Sequence, residues 1–146
     1  MASSIRIRRR GLVALVALAI VLLAACSESE EDSTGGVGAT WTQITPNELD
    51  SMLQSEDVFL VNVHVPYEGH IPGTDAFIPY DRIAGRVGAL PSDTSKLVIY
   101  CRSGTTSAIA AQALITVGVS GFYELAGGYN AWIAAGLPFE TKRAAG

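Results

Sequence analysis

From Trp41 onward, short apolar runs alternate with segments whose apolar positions recur at helical spacing. Trp41-Thr-Gln-Ile44 predicts a short edge strand. Thr45, Pro46 and Glu48 then provide a helix start: a capping hydroxyl, a proline where no N–H is needed, and a carboxylate at the capping-box position. Leu49, Met52 and Leu53 give that helix one apolar face. Val58 to Val63 is apolar enough for a strand covered on both sides. Two prolines and two glycines between Asn62 and Thr74 predict a shaped loop rather than a helix. Ala76 to Pro79 reads as a brief strand, Tyr80 to Val87 as a short helical or irregular piece, and Leu90 to Ser95 as a turn held by Asp93 and Ser95. Leu97 to Tyr100 predicts a buried strand. The helix over 105–117 is expected to turn Ile109, Ala110, Ala113, Leu114 and Val117 inward and to stop at Gly118. Phe122 to Leu125 is the last strand, and Gly127-Gly128 turns the chain into a helix ending at Gly136, with Tyr129, Trp132 and Ile133 as core residues. Strands alternating with helices over short connections predict a parallel α/β sheet.

The first forty residues follow another pattern. Arg6, Arg8, Arg9 and Arg10 precede an uncharged apolar run from Gly11 to Ala25, the form of an export signal. The run falls short of the ~20 apolar residues of a spanning helix. Leu23-Ala24-Ala25-Cys26 resembles the bacterial lipoprotein box, in which the chain is cut before the cysteine and the cysteine is lipidated. That resemblance implies a cleaved signal over 1–25, a lipidated Cys26 opening an acidic, glycine-rich tether over 26–40, and a folded domain over 41–141. It also implies a lipid anchor on the extracytoplasmic face of a bacterial membrane. An uncleaved signal anchor is the alternative. Cleavage leaves six basic residues against 14 acidic ones, a formal charge of −8, with no basic cluster for nucleic acid.

The chain has two cysteines. With Cys26 lipidated, Cys101 is a lone thiol in an exported protein, and such a thiol is either buried or used. Its position argues for use. Cys101 follows a strand directly and stands before a helix, at the edge where open α/β sheets form ligand crevices. Free N–H groups at the helix start favour a thiolate over a thiol. The amides from Arg102 to Ser107 can form a nest around an anion, Gly104 supplies tight curvature, and Ser103, Thr105, Thr106 and Ser107 can donate hydroxyl hydrogen bonds. Thr105 or Thr106 is also a candidate cap for the helix. The expectation is a charged thiol open to solvent. His64, Tyr67 and Glu68 are candidates for the pocket rim, with a general-base role for His64 as a lesser reading. His64 and His70 stand six residues apart without a nearby cysteine, so no metal site is expected. No cofactor motif is present, and the oligomeric state is open.

Three stretches together resemble the rhodanese-like family: Gly69-His-Ile-Pro-Gly73, Val98-Ile-Tyr-Cys-Arg-Ser-Gly104 and Leu125-Ala-Gly-Gly-Tyr-Asn-Ala-Trp132. The resemblance covers about Trp41 to Phe139. It implies a three-layer α/β domain whose central parallel sheet is flanked by helices. It also implies a sulfurtransferase in which Cys101 takes a sulfane sulfur from a small anionic donor or a persulfide and passes it to cyanide or a thiol. A weakly active binding or redox-sensing module is the alternative. Two positions depart from the family. The cysteine loop commonly ends in arginine, and here it ends in Thr106. The second strand often ends in aspartate, an apolar residue and arginine, and here the residues are Asn62, Val63 and His64. Arg102 is then the one cation of the loop. Cysteine phosphatases need an arginine after five intervening residues, where this chain has Ser107, which argues against phosphate-ester chemistry. His70 is expected to make a structural hydrogen bond to the loop backbone, and an acidic Glu68 at the rim disfavours anionic donors.

Overall fold

Thr45 starts the first helix with a complete capping box. In the computed structural model, which describes residues 40–141, its hydroxyl accepts the Glu48 N–H at 3.3 Å and the Glu48 carboxylate accepts the Thr45 N–H at 2.7 Å. The helix, α1 (Pro46–Ser55), buries Leu49 and half-buries Met52 and Leu53. Thr45→Ala should cost about 1 kcal/mol, read as a lower urea midpoint at unchanged slope.

Five parallel strands follow the order β1-β5-β4-β2-β3: β1 (Thr42–Ile44), β2 (Phe59–Asn62), β3 (Thr74–Phe77), β4 (Leu97–Tyr100) and β5 (Tyr123–Leu125). Two more helices, α2 (Thr105–Thr116) and α3 (Gly128–Ala134), and two 3-10 segments, Ile83–Ala89 and Thr94–Lys96, complete the elements of the described residues. β4 is the middle strand, and all four of its residues are buried. Because side chains alternate across a strand, Leu97 and Ile99 face a core with Ala110, Ala111 and Leu114 of α2, and Cys101 continues that series. Val98 and Tyr100 face the opposite core, with Leu49 of α1 and Tyr129 and Trp132 of α3. The result is the expected three-layer α/β domain. The Tyr100 hydroxyl accepts the Ile71 N–H at 3.0 Å and meets Thr74 at 2.8 Å, pinning the 62–74 loop from below, and burial raises it to about 12.

Three expectations shift. β3 begins at Thr74 rather than Ala76, because the Asp75 carboxylate accepts the Leu60 N–H at 2.8 Å and carries pairing across a register shift. In α2 the buried face is Ser107, Ala110, Ala111 and Leu114, while Ile109 and Val117 are exposed. The small residues let the helix approach the sheet closely, and a helix apolar on every side does not declare its face by sequence. Ile133 of α3 is exposed as well, while Tyr129 and Trp132 form that helix's buried face. The expected signal, Cys26 and most of the tether lie outside the described residues.

Candidate active site at Cys101

β4 delivers Cys101 to its carboxyl end, and the loop closes over it within three residues. Gly104 stands at φ +91° as the N-cap of α2. Its N–H donates to Cys101 Sγ at 3.1 Å, and Ser107 Oγ approaches the same sulfur at 3.4 Å. The first turn of α3 holds the loop in this shape. Tyr129 N–H donates to the Cys101 carbonyl at 2.9 Å and Asn130 N–H to the Arg102 carbonyl at 3.0 Å, so the loop's acceptors are occupied on the α3 side.

The loop differs from expectation in three ways. Neither Thr105 nor Thr106 caps α2, because the N-cap is Gly104 and has no side chain to bond with. Ser103 and Thr105 pair with each other at the exposed surface, 3.2 Å apart, instead of surrounding the sulfur. Cys101 is 0 % exposed, not open to solvent. Its surroundings are nonetheless polar on the loop side. Burial, the largest single influence, pushes the thiol up. The Ser107 hydroxyl, the Thr106 hydroxyl and the N–H groups of Ser107 and Ser103 together bring it below the ordinary thiol value. Thr106 contributes weakly in geometry, since its buried hydroxyl meets no group at good hydrogen-bonding distance and angle.

The rim is organised on Glu68. Its carboxylate takes the Tyr129 hydroxyl, His64 Nε2 at 3.0 Å and Arg102 Nη1 at 3.2 and 3.3 Å. The Tyr129 hydroxyl is the main cause that lowers Glu68 below the usual carboxylate range, against some desolvation, with His64 and Arg102 adding to it. Tyr129 is raised in turn, by burial and by Glu68. Arg102 is therefore engaged by an acid, with its side chain 55 % exposed. His64 meets Glu68 and the edge of the Tyr129 ring, so its best-defined contacts are at the rim and not at the thiol. Tyr67 bonds His70 Nδ1 at 2.8 Å, packs on Phe77, and lines with His64 a neighbouring cleft of ≈ 120 Å³.

Residues 45–135 match the family model of the rhodanese-like domain. The chain belongs to the rhodanese-like family. One relative of this rhodanese-like chain is an uncharacterized protein of Synechocystis sp., 40% identical over 114 residues that cover 73% of this chain and 62% of that protein, so the chain spans less than two thirds of its length. A protein of Allochromatium vinosum named sulfurtransferase is 39% identical over 102 residues, covering 63% of this chain and 92% of the relative. The solution structure of the rhodanese-like domain of an Anabaena sp. protein is 25% identical, with a TM-score of 0.60 over 73% of this chain and 87% of that one.

In this rhodanese-like domain the departing positions have defined neutral substitutes. Asn62 Nδ2 donates to the Gly69 carbonyl at 3.0 Å and its Oδ1 accepts the His64 N–H at 2.9 Å, bracing the loop without charge. His70 ties that loop to the end of the domain instead of to the loop backbone. Its main chain pairs with Glu140 in an antiparallel bridge, and its Nε2 lies 3.2 Å from the Glu140 carboxylate. Two groups of the site leave little mark in the sequence. Tyr129 has the spacing of a core residue, which gives no sign of its hydroxyl's role at the rim. Glu124 lies within a strand run, and its one signal is an acid among apolar neighbours in Phe122-Tyr-Glu-Leu125.

Proposed function

We propose that this rhodanese-like domain moves a sulfane sulfur through a persulfide on Cys101. The Cys101 thiolate attacks the outer sulfur of a donor such as thiosulfate. A new sulfur–sulfur bond forms, the donor's own bond breaks, and sulfite leaves with the electron pair. Cyanide or a thiolate acceptor then attacks the terminal sulfur and returns Cys101 to the thiolate. The observation that carries this reading is the sulfur's contact with the Gly104 N–H and the Ser107 hydroxyl, which stabilise negative charge before and after transfer. Family membership and the sulfurtransferase named among its relatives support it. The test is thiocyanate release from thiosulfate and cyanide, and a rate equal to the protein-free rate overturns use of that donor.

A second reading, a weakly active binding or redox-sensing module, is favoured by two observations: Thr106 stands where the family commonly has arginine, and Arg102 is held by Glu68. The same pairing makes a low-molecular-weight or protein persulfide a better-matched donor than a small oxyanion. Thr106→Arg should raise thiosulfate turnover by about tenfold, the scale of one charge-assisted hydrogen bond of roughly 1.5–3 kcal/mol. An intact fold with unchanged turnover would show that position 106 does not limit donor use.

The pattern of Arg6 to Arg10, the apolar run and Leu23-Ala24-Ala25-Cys26 supports placing the domain outside the cytoplasm, anchored by lipid on Cys26. A membrane-fraction mass with an acylated Cys26 and no residues 1–25 is expected; a retained Met1 with no acyl mass contradicts it.

A further inference from the structure

Glu124 is a fully buried carboxylate that the sulfur-transfer steps do not use. It lies on β5 opposite Ile99 of β4, and its two oxygens have different surroundings. Oε2 accepts Trp41 Nε1 at 3.2 Å and Gln43 Nε2 at 3.0 Å, whereas Oε1 meets Ser107 Oγ at 2.6 Å. Ser107 is itself fully buried, 3.4 Å from Cys101 Sγ and 3.1 Å from the Gly104 carbonyl.

A serine hydroxyl has one hydrogen, so these three acceptors compete for it. With Glu124 ionised, the shortest contact takes the hydrogen to Oε1. Sγ then lacks that donor, and a Ser107 lone pair can accept from the thiol. With a proton on Oε1, the acid donates to Ser107 Oγ and the Ser107 hydrogen can turn to the sulfur, whose charge as a thiolate outweighs the nearer but neutral Gly104 carbonyl, which already accepts the Ala108 N–H. Oε2 keeps its two donors in both arrangements, because a carbonyl oxygen has two lone pairs. Anions on two groups bridged by one hydroxyl repel each other.

We propose that Cys101 and Glu124 share a single proton through Ser107. The thiol proton passes to Ser107 Oγ as Ser107 passes its own to Glu124 Oε1, leaving a thiolate, a neutral acid and an unchanged net charge. Such a relay forms the thiolate without sending a proton to solvent, which suits a sulfur with no exposure. Glu124 acts through Ser107 and is a positioning residue. The other ionisable groups near the sulfur lie toward the rim: Arg102, paired with Glu68, and Tyr129, bonded to Glu68. The proposal rests on Cys101 as the reacting thiol, and it is independent of the donor.

The test is the rate of iodoacetamide alkylation, followed on the Cys101 peptide of the full chain between about pH 5 and pH 10, around the ordinary thiol range. The wild-type rate should rise in two steps, as the pair loses its first and then its second proton. Glu124→Gln, whose amide nitrogen can donate to Ser107 as the neutral acid would, should show one step, below the wild type's alkaline step. Ser107→Ala should lose about tenfold in rate on the acid plateau, the scale of a hydrogen bond to a charged group. If Glu124→Gln does not fold, the Ser107→Ala profile decides. A wild type with one step at the same pH as Glu124→Gln, or an unchanged Ser107→Ala profile, overturns the shared proton while a Cys101 that still gains sulfur preserves the carrier reading. A Cys101 that neither alkylates nor gains sulfur at any pH overturns both.

Discussion

Cys101→Ala is expected to abolish cyanide-dependent thiocyanate release while leaving the fold in place. Among the described residues Cys101 is the one free cysteine, so no neighbouring thiol stands ready to carry sulfur in its place. The substitution removes a buried sulfur and leaves β4, the Gly104 turn and the Ser107–Glu124 contact otherwise unaltered. The stability loss should be about 1–2 kcal/mol, at the low end for truncating a core side chain. The activity loss should reach the protein-free rate, because nothing else in the loop can form the intermediate. Cys101→Ser sharpens the comparison. It keeps a hydroxyl near the Gly104 N–H and exchanges the nucleophile, so it too should fold and fail to turn over. Transfer that persists in either variant would move the chemistry away from this loop.

Gly128→Ala is expected to be the most destabilising single methyl added at the site. Gly128 has φ +59°, and a Cβ there would stand 2.3 Å from the Cys101 carbonyl oxygen, 2.6 Å from the Arg102 carbonyl carbon and 2.7 Å from its oxygen. All three obstacles are backbone, so no side chain can swing aside. Relief requires α3 to withdraw from the loop. That movement breaks the Tyr129 and Asn130 N–H bonds to the Cys101 and Arg102 carbonyls. Left-handed strain of roughly 1–2 kcal/mol adds to an overpacking cost of typically 1–3 kcal/mol. A combined loss of about 2–5 kcal/mol should appear as a lower urea midpoint. Any folded fraction should show slower Cys101 alkylation at neutral pH, since the amides that stabilise the thiolate have lost their support. By contrast, Gly118→Ala meets nothing within 4 Å and carries only the backbone strain of its φ of +87°. Equal midpoints for the two variants would contradict the close approach at Gly128.

Sequence patterning made most of the architecture legible because the signals were local. The Thr45–Glu48 box, the apolar β4 run ending at Cys101 and the Gly104 turn each depend on residues within a few positions. Facing was harder to read. Ile109, Val117 and Ile133 look like core residues by composition, and only the sheet beneath them decides that alanines and Ser107 turn inward. The site was half legible for a related reason. Cys101 and its loop are consecutive in sequence, whereas Glu68, Arg102 and Tyr129 meet from three separate segments, and Glu124 reaches Ser107 across 17 positions. A hydrogen bond between distant residues leaves no periodic mark. Exposure of the thiol was likewise a tertiary matter, set by how closely α2 and α3 close over the end of β4.

The central claim is that loop amides and the Ser107 hydroxyl hold the Cys101 sulfur as an anion able to bond a second sulfur. Peptide mass analysis after exposure to thiosulfate, with and without subsequent cyanide, tests it most directly. The account predicts a gain of one sulfur atom on the peptide containing Cys101 and its removal by cyanide. A peptide that remains unmodified with thiosulfate and with a low-molecular-weight persulfide alike, in a protein that is folded, would contradict it.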